Sequence, residues 1–147
     1  MTRIDIAGPS DLDTLVPLFD AYRVFYEQPS DPAAAREFLT RRLSERGSLL
    51  LLARWDGAPA GLARAFETYG SIALRPLWIL EDLYVIPDLR KHGIASALIE
   101  RAQAEAKARG ASAITLETAA TNATAQRLYE RLGYARERTF IKYGFAL

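Results

Sequence analysis

The apolar positions of this chain switch between two periods, and the switches mark out its elements. Thr2–Ile6 alternates and runs into Gly8 and Pro9, which reads as a short strand closed by a turn. Ser10 then offers a helix cap, and Leu12, Leu15, Val16, Phe19, Tyr22 and Tyr26 recur at helical spacing. Pro17 predicts a break or kink near the start of that helix. Asp31 before Pro32 predicts a second helix, carrying Ala35, Phe38, Leu39 and Leu43 inward and stopping at Gly47. Ser48–Trp55 and residues 60–69 flank a turn at residues 56–59 and predict an antiparallel hairpin, with loop at residues 70–74.

Beyond Pro76, LWILEDLYV (residues 77–85) is apolar enough for a strand buried on both faces. A basic turn leads into a helix at residues 94–109, with Ala95, Leu98, Ala102 and Ala106 on its packed side and Gly110 closing it. Residues 114–118 (ITLET) read as a strand, Asn122 as the cap of the helix ATAQRLYERL, and Gly133 as its end. The tail YARERTFIKYGF predicts a further strand, bulged or bent at Gly144. The order predicts an α/β fold of the α+β kind, a twisted mixed sheet with helices on both faces, in a single domain over residues 1–147.

Composition narrows the partners. A chain of 147 residues, 50% hydrophobic and 25% charged, supports one core and excludes a disordered or fibrous protein. Nineteen basic against eighteen acidic residues leave +1, so no overall field recommends nucleic acid or an anionic membrane. The longest aliphatic run, residues 49–53, is too short to span a bilayer, and MTRIDIAGPSD lacks the apolar core of a secretion signal. A cytoplasmic protein is expected. With no cysteine and the single His92, no thiolate site or histidine metal cluster can form, and no metal is expected. Chemistry must come from carboxylates, hydroxyls, backbone amides or a borrowed cofactor.

The junction LEDLYVIPDLRKHGIASALIE (residues 80–100) is the place to look. A helix that starts directly after a buried strand exposes its first amides and the positive end of its dipole, which favours an anion. Gly93 and Ala95 leave that backbone open, Arg90 and Lys91 add charge, and phosphate is the natural ligand. A plain packing turn accounts for the glycine about as well. The pattern is neither a Walker loop nor the three-glycine dinucleotide fingerprint, so NTP hydrolysis and NAD binding are excluded.

Arg90-x-x-Gly93-x-Ala95 after a central strand is similar to the phosphate loop, Arg/Gln-x-x-Gly-x-Gly/Ala, of the GNAT superfamily of acetyl-CoA-dependent N-acetyltransferases. NATAQRLYERLGYAR (residues 122–136) resembles that family's later helix, in which an asparagine, a tyrosine and a terminal Leu-Gly-Tyr recur at this spacing. With the order of elements, the likeness covers nearly the whole chain. LEDLYV and the closing aromatic strand look like the branch containing diamine and polyamine acetyltransferases and those of small amines or amino acids. The resemblance implies a central mixed sheet of six to seven strands flanked by about four helices, with strands 4 and 5 splayed. It implies acetyl-CoA as cosubstrate, its pantetheine arm in the splay on Leu83, Tyr84 and Val85. The diphosphate then lies on Arg90, Lys91, His92, Gly93, Ile94, Ala95 and Ser96, with Asn122 and Tyr129 also in contact.

An alkylamine near pKa 10 must shed a proton before attacking a thioester, a cost of about 4 kcal/mol at pH 7. Glu81 is the candidate base, directly or through water; the alternative is an acid paired with a nearby arginine. Asp82 is a secondary candidate for holding the amine or sharing the relay, with capping of a neighbouring loop an equal alternative. On a regular strand it points to the opposite face from Glu81, so both serve one pocket only across a bulge, which the resemblance implies. Tyr129, by resemblance, is the general acid toward the leaving thiolate, against a plain core tyrosine. Asn122 both caps its helix and, by resemblance, contacts the cofactor. A backbone amide among residues 83–85 is assigned to the thioester oxygen.

His92, between Lys91 and Gly93, reads as a loop residue near phosphates rather than a catalyst. Tyr22, Phe25, Tyr26, Trp78 and Tyr84 are candidates for an acceptor pocket, with core packing the default. Glu27 and Glu67 could attract a cationic acceptor, with surface placement the default. The expected function is direct acetyl transfer to a primary amine of a small-molecule or protein acceptor; the alternative is a CoA-binding regulatory module without transfer. Ile141, Tyr143 and Phe145 on one face of the closing strand predict a homodimer.

Overall fold

The computed structural model describes residues 1–147, which form two compact units, Met1–Glu117 and Thr118–Leu147. The first holds β1 (Thr2–Ile6), α1 (Leu12–Phe25), α2 (Pro32–Ser44), β2 (Ser48–Trp55), β3 (Ala58–Gly70), β4 (Arg75–Val85), α3 (Ile94–Ala108) and β5 (Ala113–Leu116). The five strands lie in the order β1-β2-β3-β4-β5. The first three pairings are antiparallel, and β4–β5 is parallel through the α3 crossover. The β2–β3 hairpin closes on Asp56 and Gly57, at φ 48° and 85°, a turn whose twist matches that of its strands.

Alternation along the strands builds two cores. Leu50, Leu52, Leu62 and Tyr84 pack with Leu15, Val16, Leu18 and Phe19 of α1 and with Ala35 and Leu39 of α2. The alternate positions Leu49, Leu51, Ala63, Ala65, Trp78 and Leu80 are equally buried, on the face that α3 covers with Ile94, Leu98, Ile99, Ala102 and Ala106. The sheet is therefore apolar on both sides, as the unbroken apolar run of β4 predicts.

The start of α1 departs from expectation. A short 3-10 turn, Pro9–Asp11, precedes it, and Asp11 rather than Ser10 ties the chain there, its Oδ2 accepting from the Gly8 amide at 2.9 Å. Pro17 neither breaks nor ends the helix. The missing N–H costs one bond near the helix start, and Leu15, Val16, Leu18 and Phe19, buried around it, hold the segment on the sheet. Asp31 caps α2 as expected, Oδ1 accepting from the Ala34 amide at 3.0 Å, but the helix ends at Ser44, ahead of Gly47.

In the C-terminal unit, Asn122 caps α4 (Ala123–Arg131), its Oδ1 accepting from the Ala125 amide at 3.1 Å, and Gly133 follows at φ 93°. No strand follows, so the sheet has five strands rather than six to seven, and the closing strand is a misreading. Alternation in the tail gives a strand two potential faces, but a strand also needs a partner edge. Here the amides of Thr139 and Phe140 are bonded to the Glu137 carboxylate instead. No helix is long and apolar enough to cross a membrane.

Candidate active site

The centre of the site is an irregularity in β4. Along the β3–β4 ladder Ala65 stands opposite Leu80, and the next residue, Arg64, stands opposite Asp82, so Glu81 is an extra residue with no partner across. One extra residue reverses the alternation. Leu80 faces α3, while Glu81 and Asp82 both turn toward α1. Consistent with this, both carboxylates raise the pKa of the Tyr22 phenol on α1, after burial, which contributes most. Two adjacent acids thus share one face.

Their surroundings differ. Asp82 is only 8% exposed, whereas Glu81 is exposed and makes no hydrogen bond or ion pair. Arg64 Nε donates to Asp82 Oδ2 at 2.5 Å, and the Tyr22 hydroxyl donates to Oδ1 at 2.9 Å. The Arg64 guanidinium lies 5.3 Å from the Phe38 ring and 5.4 Å from Phe66, a stacked setting that suits its planar cation. Asp82 is thereby held as a neutralised ion pair, and Glu81 is the carboxylate left available.

Above Asp82, between α1 and α2, opens a cavity of about 440 Å³ lined by Phe19, Tyr22, Arg23, Tyr26, Phe38 and Asp82. Of the aromatic residues singled out in the sequence, Tyr22 and Tyr26 line this cavity. Trp78 belongs to the opposite core, with the Arg109 guanidinium over its ring at 5.3 Å. Phe38 appears in the sequence reading only as a core residue, and Arg64 not at all. The signal for Arg64 was its charge at an inward position of AGLARAFETY, where alternation demands an apolar residue.

Downstream of the bulge, Leu83, Tyr84 and Val85 pair with Ala63, Leu62 and Gly61 of β3. The approach at Gly61 is so close that an added Cβ would lie 2.4 Å from the Tyr84 carbonyl oxygen, so only glycine fits. On the other side, pairing with β5 stops at Leu80–Leu116, and Glu81 to Val85 run on without a β5 partner. The pairing stops because β5 itself ends at Leu116.

The chain then turns through Pro87–Leu89 into the basic segment. Arg90 Nε donates to the Val85 carbonyl at 3.0 Å, with its guanidinium 5.0 Å from the Phe25 ring and 5.9 Å from Tyr84. Lys91 sits at φ 65°, a conformation disfavoured for a side chain with Cβ. His92 is exposed, its Nδ1 2.8 Å from the Arg90 carbonyl and its ring edge-on to Trp55 at 5.3 Å, the bland loop position. Since the carbonyl only accepts, Nδ1 carries the proton. Gly93, the α3 N-cap at φ 80°, swings the chain so that the first backward bond is Ala97 N–H to the Gly93 carbonyl at 3.0 Å. The amides of Ile94, Ala95 and Ser96 precede that bond, and the positive end of the helix dipole lies there.

Asn122 and Tyr129 belong to the C-terminal unit. Tyr129 is half-buried on α4, its ring 6.2 Å from that of Tyr134, and Gln126 is held by Arg136 at 2.7 Å.

A mixed sheet whose central strand carries paired acids and leads through a basic turn into a helix start is the arrangement expected of the family that the sequence resembles. Residues 15–134 match the Acetyltransferase (GNAT) family, and the chain belongs to that family as an N-acetyltransferase that acts on an amine. It is 36% identical over 137 residues, 93% of this chain and 92% of the relative, to the uncharacterized N-acetyltransferase YhfO of Bacillus subtilis (strain 168). A crystal structure of a probable acetyltransferase superposes with a TM-score of 0.93 at 33% identity, covering 99% of this chain and 97% of the other. An aminoglycoside N-acetyltransferase solved in complex with CoA shares the fold, with a TM-score of 0.82 at 21% identity over 100% of this chain and 96% of that one.

Proposed function

We propose that the protein binds acetyl-CoA and transfers its acetyl group directly to a primary amine of a small molecule, polyamine or amino-acid-like, or of a protein, with no covalent enzyme intermediate. The observation that carries this reading is the Glu81 bulge: it sets an available carboxylate beside the β4 edge that β5 leaves open, one short turn before the amides of α3. In this reading the diphosphate rests on residues 90–96, and the pantetheine arm pairs with the backbone of residues 83–85. The CoA complex of the similarly folded aminoglycoside enzyme supports the choice of donor.

Glu81, directly or through a water, accepts the proton of the incoming ammonium. Asp82 keeps a fixed negative charge beside it. The freed nitrogen attacks the thioester carbon, an amide of residues 83–85 donates to the oxygen as charge develops, the C–N bond forms, the nitrogen loses its second proton to water, and the C–S bond breaks. Tyr129 gives its proton to the departing thiolate and regains one from solvent. Asn122 contacts the donor as well as capping α4. The homodimer, expected from a strand face, now rests on the exposure of Ile141, Tyr143 and Phe145 instead. A cytoplasmic setting agrees with this chemistry.

Calorimetric titration with acetyl-CoA tests the donor site, and absence of binding at millimolar ligand refutes the proposal. Tyr129→Phe lowers turnover more than it lowers acetyl-CoA affinity; full turnover in that variant removes its role. Light scattering at micromolar concentration decides between dimer and monomer.

A further inference from the structure

We infer that the cavity between α1 and α2 receives the body of the acceptor, and that it selects a small primary amine carrying one aromatic ring over a polycation. This deepens the acetyl-transfer reading and rests on it. At about 440 Å³ the cavity falls at the small end of ligand sites. Four of its walls are rings: Phe19 stacks on Phe38 at 5.4 Å and 8°, and Tyr22 meets Tyr26 edge-on at 5.1 Å and 72°. Such walls reward a flat apolar group.

The charges point the same way. A polyamine or an aminoglycoside carries several ammonium groups, each bound most strongly by a carboxylate. The cavity offers one, Asp82, and both its oxygens are already bonded, to Arg64 and Tyr22. The other charged residue in the lining is a cation, Arg23. Of the ring faces, that of Phe38 already carries two guanidiniums of the protein itself, Arg42 at 4.9 Å and Arg64 at 5.3 Å. A single amine avoids the difficulty. With its ring in the cavity, its nitrogen lies toward Asp82, beside which Glu81, the adjacent residue of the bulge and outside the cavity lining, is placed to take a proton.

Ligand-observed NMR on the full chain, with and without CoA, compares 2-phenylethylamine with spermidine. The expected result is phenylethylamine binding about tenfold or more tighter. Ala34→Trp, at an exposed first-turn position of α2 that lines the cavity, fills it, and phenylethylamine binding weakens by a similar factor while acetyl-CoA affinity is unchanged. Spermidine binding as tightly as phenylethylamine overturns the inference, as does unaltered phenylethylamine binding in correctly folded Ala34→Trp. The wild-type comparison stands whether or not the variant folds. Acetyl-CoA binding without phenylethylamine binding in either state removes the cavity assignment and leaves the transfer reading; phenylethylamine binding without acetyl-CoA binding does the reverse.

Discussion

Replacing Arg64 with methionine isolates the ion pair under the cavity. The substitution keeps an apolar stem against Phe38 and Phe66 but removes the donor at 2.5 Å from Asp82, leaving that carboxylate only the Tyr22 hydroxyl at 2.9 Å. Both side chains of the pair are 11% exposed, so little water can replace the lost partner. Stranding a buried charge costs about 3–5 kcal/mol; with one donor retained and the cavity above, the lower end, about 3 kcal/mol, is expected. At a urea slope of about 2 kcal/mol/M for a domain of this size, the midpoint falls by about 1.5 M. Trp78, fully buried, reports unfolding by its fluorescence. The control is Arg64→Met with Asp82→Asn, which removes the charge as well as its partner and should recover more than half of the loss. A single variant within about 0.5 kcal/mol of the parent, or a double variant no more stable than the single, refutes the view of Asp82 as a buried, ionised group held by Arg64.

Other consequences follow from the same geometry. Gly61→Ala drives a Cβ into the Tyr84 carbonyl, so a loss of about 1–3 kcal/mol is expected in denaturant melts, with weakened acetyl-CoA binding because the displaced backbone is that of residues 83–85. Gly93→Val forces a branched side chain into φ 80°, and calorimetry should show acetyl-CoA affinity lost while the fold, by circular dichroism, persists. The Asp20 carboxylate accepts from the Ser30 hydroxyl and the Asp31 amide, which hold its pKa below the ordinary value. Its contribution is therefore present above the unfolded-state carboxylate range and fades as pH falls through that range into the lower folded value. Asp20→Asn should flatten that part of the stability–pH curve, and an unchanged acid limb contradicts the assignment.

Much of this was legible because local signals agreed with the fold. Asp56–Gly57 between apolar strands announces a tight hairpin, Asp31-Pro32 and Asn122 announce helix starts, and the basic turn before Gly93 announces an exposed set of amides. The bulge was not legible from residue types: Glu81 and Asp82 look alike, and the slip between them depends on how β3 pairs, a non-local matter that only the family resemblance supplied. Arg64 was hidden for the same reason, since its partner lies on another strand. In the tail, the alternation of Ile141, Tyr143 and Phe145 misled, because period two describes the faces of a strand and not the edge it must join. Helix α1 ran through Pro17 because buried neighbours outweighed one missing hydrogen bond.

The most direct test of the account is the release of free CoA thiol from acetyl-CoA by the purified protein across a panel of primary amines, with the N-acetylated product identified by mass spectrometry. The account predicts thiol release that requires both acetyl-CoA and amine, stoichiometric with acetylated amine, and reduced in Glu81→Gln. Tight acetyl-CoA binding with no amine-dependent release over the whole panel contradicts it, and makes the chain a CoA-binding module that keeps the fold without the chemistry.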